Sequence, residues 1–466
     1  MKSYVLFFSI VLLISCQRNH EELETSLDTL LMEQLVKRGP GCGIAVVKDG
    51  KTIFKKGYGF ANLEHEVLFD ENTVSDLGSV AKHFTAYAIA HLEEEGELDF
   101  DDEIQDHLDW IPNTIAKKDI TISHLLHHTS GLREVYGALA IAGFRSGDGI
   151  TQQDGQMIVR NSEELNFAPG EQYNYCNTAY MLLADIIMAV SGKSYEEYLQ
   201  EHVFEPQDMD HAYIMDRQGE VFPKASTSYR SWDDGSFTTV YDNSTAYGQG
   251  GIYTSINDMT LWMKSLLNAR GNHKDIFETM QKTGSLNSGE SLDYAMGLRI
   301  DEHRGLKRIS HSGASAGYRS QMSLYPDQDL GIFVQSNFGE LNRGTIVNNI
   351  LDVLIDSLPA VSEVNNDNSN EAPSYVSLSK SELEEYEGRY FTPELETVYE
   401  ITLEEDQLMA HHRRNGSFQL NVVALDTLVS DQWYFSDVIF SRNIFGNADG
   451  FRLSNGRVMN LWFEKE

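Results

Sequence analysis

Residues 76–98 read "DLGSVAKHFTAYAIAHLEEEGEL", an apolar run at helical spacing that stops at Gly96. At its start Ser79 and Lys82 stand three positions apart, which puts both side chains on one helix face. Ser79 falls in the first turn, where unpaired backbone N–H groups and the helix dipole favour negative charge. A serine hydroxyl is a weak nucleophile until a base takes its proton. A lysine amine is such a base once burial or nearby positive charge lowers its pKa. The pair therefore reads as nucleophile and base. The pattern alone is weak, because Ser377–Lys380 repeats it. That copy lies in a polar stretch, with no helix expected to align it and no core to dry it, and is set aside.

Further along, "PGEQYNYCNTAY" (169–180) sets Tyr175-Cys176-Asn177 in a loop before a strong helix. That helix carries Leu182, Leu183, Ile186, Ile187 and Val190 on one face and ends at Gly192. A tyrosine beside a lysine ammonium can act as phenolate, deprotonating Ser79 and later protonating a leaving group. Asn177 can hydrogen-bond a substrate amide. Tyr241-Asp242-Asn243 has the same letters, but the turn at Pro169-Gly170 and the following helix favour the first copy.

Ser79-Val80-Ala81-Lys82 followed by Tyr175-Cys176-Asn177 resembles the class C β-lactamase and DD-peptidase superfamily of serine hydrolases. Residues 120–132 ("ITISHLLHHTSGL"), 190–209 ("VSGKSYEEYLQEHVFEPQDM") and 248–262 ("GQGGIYTSINDMTLW") resemble recurring segments of the same family. The resemblance spans roughly residues 22–358. It implies a third motif, Lys-Thr-Gly or His-x-Gly, on a strand beside the serine. Lys-x-Gly or His-x-Gly starts at Lys37, Lys48, Lys55, Lys282, His303 and His311. Lys282-Thr283-Gly284 matches the letters but lies among Gly, Ser and Asn residues that read as loop. His311-Ser312-Gly313 stands between two strand-like runs, where an edge strand can pair with an extended substrate and glycine admits close approach. It is the expected third corner. The resemblance then implies an oxyanion hole from the N–H groups of Ser79 and Ala314, and a hydrogen bond from His311 to Tyr175. Histidine is not reliably charged at neutral pH, and Ala314 lacks a hydroxyl for a substrate carboxylate. Both departures shift the expectation from a β-lactamase toward a D-amino-acid peptidase, DD-carboxypeptidase or esterase. A true β-lactamase and a slowly acylated penicillin-binding sensor remain the alternatives.

Strands at both ends of residues 20–360, with helices between, suggest one antiparallel sheet assembled from the two termini, with a helical subdomain. The expected class is α/β (α+β), β-lactamase/transpeptidase-like. Residues 17–360 form the hydrolase domain and 361–377 a polar, turn-rich linker. Residues 378–466 form a small all-β, barrel-like domain. That domain is itself a candidate ligand binder.

Residues 1–16, "MKSYVLFFSIVLLISC", have Lys2, a short apolar run and a lipobox-like ending at Cys16. The expectation is an exported lipoprotein of the bacterial cell envelope, held to the membrane only through lipid on Cys16. Cys42 and Cys176 read as buried free thiols. A net charge of −35 over 466 residues argues against a nucleic-acid partner. The remaining partner is a small peptide, amide or ester. No cofactor or metal is expected, since His124, His127 and His128 lack ligand spacing.

Overall fold

The computed structural model describes residues 24–29, 31–32, 38–145, 147–269, 271–355, 358–359 and 374–466. Cys16 and residues 361–373 of the expected linker lie outside them. The first hairpin joins β1 (Cys42–Lys48) to β2 (Lys51–Tyr58) through Asp49 and Gly50, both at positive φ (50° and 69°). That backbone matches the twist of the flanking strands. Four later strands complete the sheet: β3 (Arg299–His303), β4 (Leu306–Ser315), β5 (Tyr318–Tyr325) and β6 (Leu330–Ser336). The order is β3-β4-β5-β6-β1-β2, antiparallel throughout, so that the first strand pairs with the last and Ala45 faces Phe333.

Side chains of β1 alternate between two cores, as strand geometry requires. Ala45 and Val47 join the core with Met259, Trp262 and Met263. Ile44 and Val46 join another with Ile346, Val347 and Ile350. The sheet is thus covered on both faces and β6 is buried along its whole length. Three helices matter for the site: α1 (Lys82–Glu94), α2 (Asn177–Ser191) and α3 (Ile256–Leu267). Helix α2 is buried at every position from Asn177 to Ile187 and ends in left-handed Gly192. Ser255 caps α3 by accepting from the N–H of Asp258. Cys42 and Cys176 are buried free thiols.

The C-terminal unit is a closed eight-stranded barrel whose strands run in chain order from β7 (Gly388–Thr392) to β14 (Leu461–Lys465), with β7 pairing back onto β14. Its interior is packed with Tyr390, Tyr399, Phe435, Phe451 and Phe463. It shares that core with the N-terminal unit through Val135, Leu139, Ile141 and Met181. Beside this seam Arg133 is forked onto Glu394 (2.7 and 3.0 Å), with side chains only 1% and 7% exposed. Among the described residues no helix is long and apolar enough to cross a membrane.

Candidate active site

Ser79, expected on a helix, lies in a tight 3-10 turn, Gly78–Ala81, that leads into α1 at Lys82. Two glycines let this turn nest against β4. A Cβ on Gly78 (φ 52°) would meet the backbone nitrogen of Ala314 at 2.7 Å, and one on Gly313 would meet the Leu77 carbonyl at 1.9 Å. Gly313 is therefore needed for the approach of the serine turn, a reason its motif did not suggest. The result sets Ser79 beside Ala314 in a cleft of about 1030 Å³ that is also lined by Tyr175, Asn177, His311 and Gly313.

Lys82 is fully buried and its Nζ lies 3.1 Å from Ser79 Oγ. The same nitrogen donates to Asn177 Oδ1 (2.7 Å) and to the Gln249 carbonyl (2.6 Å). The Asn177 amide cannot be turned around, because its Nδ2 donates to a Glu134 oxygen (2.7 Å) that only accepts. Two of the three free positions on Nζ thus face oxygens that only accept. A neutral amine spends its two hydrogens there and points its lone pair at Ser79. Burial holds the Lys82 pKa well below that of an ordinary lysine; Glu134 opposes that shift and Arg457 adds to it. Asn177, expected to meet substrate, lines the cleft and bridges Glu134 and Lys82. Glu134 also caps the helix at Val135–Ile141 by accepting from the N–H of Gly137 (2.8 Å).

Tyr175 lies with its ring centroid 4.9 Å from Lys82 Nζ. Among the described residues its buried hydroxyl has no partner at full hydrogen-bond geometry, though the Ser79 hydroxyl is close enough to favour the phenolate. Burial pushes the phenol well above its ordinary pKa, with Ser79 as the main opposing neighbour. The phenolate expected as base is therefore disfavoured. Beneath the ring, His128 packs at 4.3 Å between centroids and accepts the Cys176 N–H at 3.1 Å.

His311 does not reach Tyr175, whose ring centroid is 6.3 Å away; its Nε2 pairs with the Tyr294 hydroxyl (3.0 Å). Its Nδ1 faces the carbonyl of Ser312 (2.8 Å), which only accepts, so Nε2 carries the lone pair and Tyr294 donates. Burial, then the charge of Lys82, pushes His311 down to about 3. It is neutral at physiological pH. Strand β3 begins only at Arg299, opposite Ser310, so residues 311–315 of β4 pair only with β5. Their other edge runs along the cleft. Lys282-Thr283-Gly284 lies in a loop with Lys282 and Thr283 exposed, and the Lys282 carbonyl faces His127 Nε2 at 3.2 Å. A short helix does begin at Lys380, against expectation, but Ser377 precedes it and both residues are exposed. His124, His127 and His128 do not converge; among the described residues no three His, Cys, Asp or Glu are grouped to hold a metal.

Several cleft residues escaped the sequence reading. The discarded Tyr241-Asp242-Asn243 copy lines the cleft, and its Asp242 accepts from the Ser315 hydroxyl. Nearby Asp76 accepts the Gly78 N–H (2.7 Å), and burial, then Asp242, raises its carboxyl to about 7. Glu134 and Gln249 lie two residues after and within segments already recognised as family-like, which was a usable signal. Tyr294 had none. Nor had Trp433, Asn455 and Arg457, which the barrel contributes to the cleft.

Residues 29–356 match the beta-lactamase family profile. The chain is 28% identical over 301 residues to a D-aminopeptidase of Brucella anthropi, covering 65% of this chain and 56% of that protein. It is 30% identical over 339 residues to protein flp of Staphylococcus aureus, covering 67% and 63%. The chain thus spans little more than half of the length of that D-aminopeptidase, 56%. Among solved structures, the octameric penicillin-binding protein homologue from Pyrococcus abyssi aligns over 94% of this chain and 98% of its own, with a TM-score of 0.63 and 24% identity. A D-stereospecific amidohydrolase from Streptomyces sp. aligns over 70% of this chain and 97% of its own, with a TM-score of 0.57 and 21% identity. These likenesses establish the shared fold. The match across residues 29–356 identifies the chain as a member of the beta-lactamase family.

Proposed function

We propose that the protein is a serine hydrolase that cleaves small amide substrates, D-amino-acid peptides foremost, through an acyl-enzyme on Ser79. One observation carries the reading: a buried lysine amine whose hydrogens are committed to Asn177 and Gln249 and whose remaining position faces the Ser79 hydroxyl. Lys82 takes the serine proton as Oγ attacks the carbonyl carbon. The N–H groups of Ser79 and Ala314 receive the oxyanion. As the C–N bond breaks, the Tyr175 hydroxyl passes its proton to the departing nitrogen and is refilled from Lys82. Water then attacks the ester and the proton path runs in reverse. His311 stays neutral and holds Tyr294 in place.

The amide preference draws on the D-aminopeptidase and amidohydrolase relatives, and on the absence of a charge at His311 or a hydroxyl at residue 314. Export and lipid attachment at Cys16 belong to the same proposal and rest on residues 1–16 alone.

A fluorophosphonate probe should label the wild type and leave Ser79→Ala unlabelled. In parallel, D-amino-acid anilides, nitrophenyl esters and a chromogenic cephalosporin should be compared for sustained turnover. Full labelling of Ser79→Ala overturns the nucleophile. A single stoichiometric burst without turnover on every substrate identifies a sensor instead.

A further inference from the structure

The barrel reaches the cleft through the loop between β13 (Ala448–Ser454) and β14, and at its tip stands Arg457. Its guanidinium lies 5.4 Å from the centroid of the Tyr175 ring. Of the other cleft arginines, Arg145 is exposed, and the remaining three are spoken for. Arg299 pairs with Asp293 at 2.6 Å, Arg308 is forked onto Asp301 (2.8 and 2.6 Å), and Arg343 donates to the carbonyls of Gly313 and Ser320. Arg457 has no ion pair and no side-chain hydrogen bond among the described residues.

Its backbone, by contrast, is clamped. Asn166 donates to the Arg457 carbonyl (2.8 Å) and accepts the Met459 N–H (2.8 Å). Asn174 donates to the Gly456 carbonyl (2.8 Å), and Arg133 to that of Met459 (2.6 Å). Val458 is buried in the core shared by the two units. A fixed loop therefore presents one unpaired cation over the phenol that protonates the leaving group. The charge opposes protonated Lys82, where Glu134 works against it, and among the described residues no carboxylate pairs with the guanidinium itself. An anionic substrate group supplies one. Guanidinium geometry matches a carboxylate through two parallel hydrogen bonds. The strand motif offers no rival, since His311 is neutral and Ala314 has no hydroxyl.

We propose that Arg457, supplied by the barrel, is a specificity-determining residue that binds the free carboxylate of the departing half of the substrate. This deepens the acyl-enzyme reading and rests on it for which half departs. The test uses full-length protein, a D,D-dipeptide, and the same dipeptide with its terminal carboxylate amidated. In the wild type kcat/KM should favour the free acid. In Arg457→Gln the acid-to-amide ratio should fall about 10- to 100-fold, the worth of a charge-assisted contact. Arg457→Lys should recover part of it. An unchanged ratio in Arg457→Gln, or no wild-type preference, overturns the proposal. Calorimetric binding of both dipeptides in a Ser79→Ala background gives the same ratio without turnover. A preference seen there that disappears with Arg457, in a protein whose serine never labels, sustains the carboxylate site and refutes the hydrolase.

Discussion

Replacing Glu394 by glutamine should loosen the barrel from the catalytic unit. The Arg133 guanidinium is 1% exposed and makes four hydrogen bonds: two to Glu394, one to Asn166 Oδ1 (3.1 Å) and one to the Met459 carbonyl. Glutamine keeps one acceptor and turns an NH₂ toward the other guanidinium N–H, leaving a buried charge without its counter-charge. Removing one partner of a buried pair costs about 3–5 kcal/mol. The retained acceptor places Glu394→Gln near the lower figure, about 3 kcal/mol. For an m-value of about 1.5 kcal/mol/M, the urea midpoint of the barrel transition falls by about 2 M. Trp433 and Trp462 lie in the barrel and report on it by fluorescence. The double replacement Arg133→Met with Glu394→Leu removes both charges and should return to within about 1 kcal/mol of wild type. A midpoint unmoved in Glu394→Gln, or a double variant as unstable as the single, would refute this account of how the barrel docks. Activity should fall with docking, because the Arg133 carbonyl accepts from Thr178 Oγ1 (2.8 Å) beside Asn177 and the base.

Tyr175→Phe removes a buried hydroxyl whose contact with Ser79 falls short of full hydrogen-bond geometry, so thermal stability should hold or rise, while turnover falls about 10²- to 10⁴-fold; a large loss of stability would mean that the hydroxyl is structural. Gly313→Ala forces a Cβ to within 1.9 Å of the Leu77 carbonyl, and the displaced serine turn should lose more than about 100-fold in kcat/KM; near-wild-type kinetics would show that the turn does not nest as described. Protonation of Lys82 removes its lone pair, so kcat/KM should be lost as pH falls through its depressed pKa. His311, held down at about 3, should add no step between about pH 5.5 and 7.5. An acid limb that moves in His311→Asn would contradict that.

Local chemistry was legible where short-range physics decides it. Gly96 and Gly192 announced helix ends, and the Ser79–Lys82 spacing a shared face. What escaped depends on distant pairing. The orientation of Asn177 follows from Glu134, and the neutrality of His311 from Tyr294 and the depth of its burial, neither of which a motif encodes. The Tyr241-Asp242-Asn243 copy was read as a rival to Tyr175, yet the fold brings both to one cleft. Arg457 lies so far along the chain, in a different unit, that only packing could reveal its place over Tyr175.

The pairing of β1 with β6 has a consequence for how the molecule is made. Ala45 leaves the ribosome early and Phe333 late, so the central pair of the sheet cannot form until most of the catalytic unit has been synthesised. Until then β1 is an apolar segment without its partner, exposed to aggregation. The serine turn waits as well, since β4 and β5 must arrive before Gly313 and Ser320 can hold Leu77. A chain truncated before β4 would carry the nucleophile and its base with nothing to nest them. On the proposed mechanism, Ser79 thus gains its setting late in synthesis, which spares the nascent chain from acylation before it is whole.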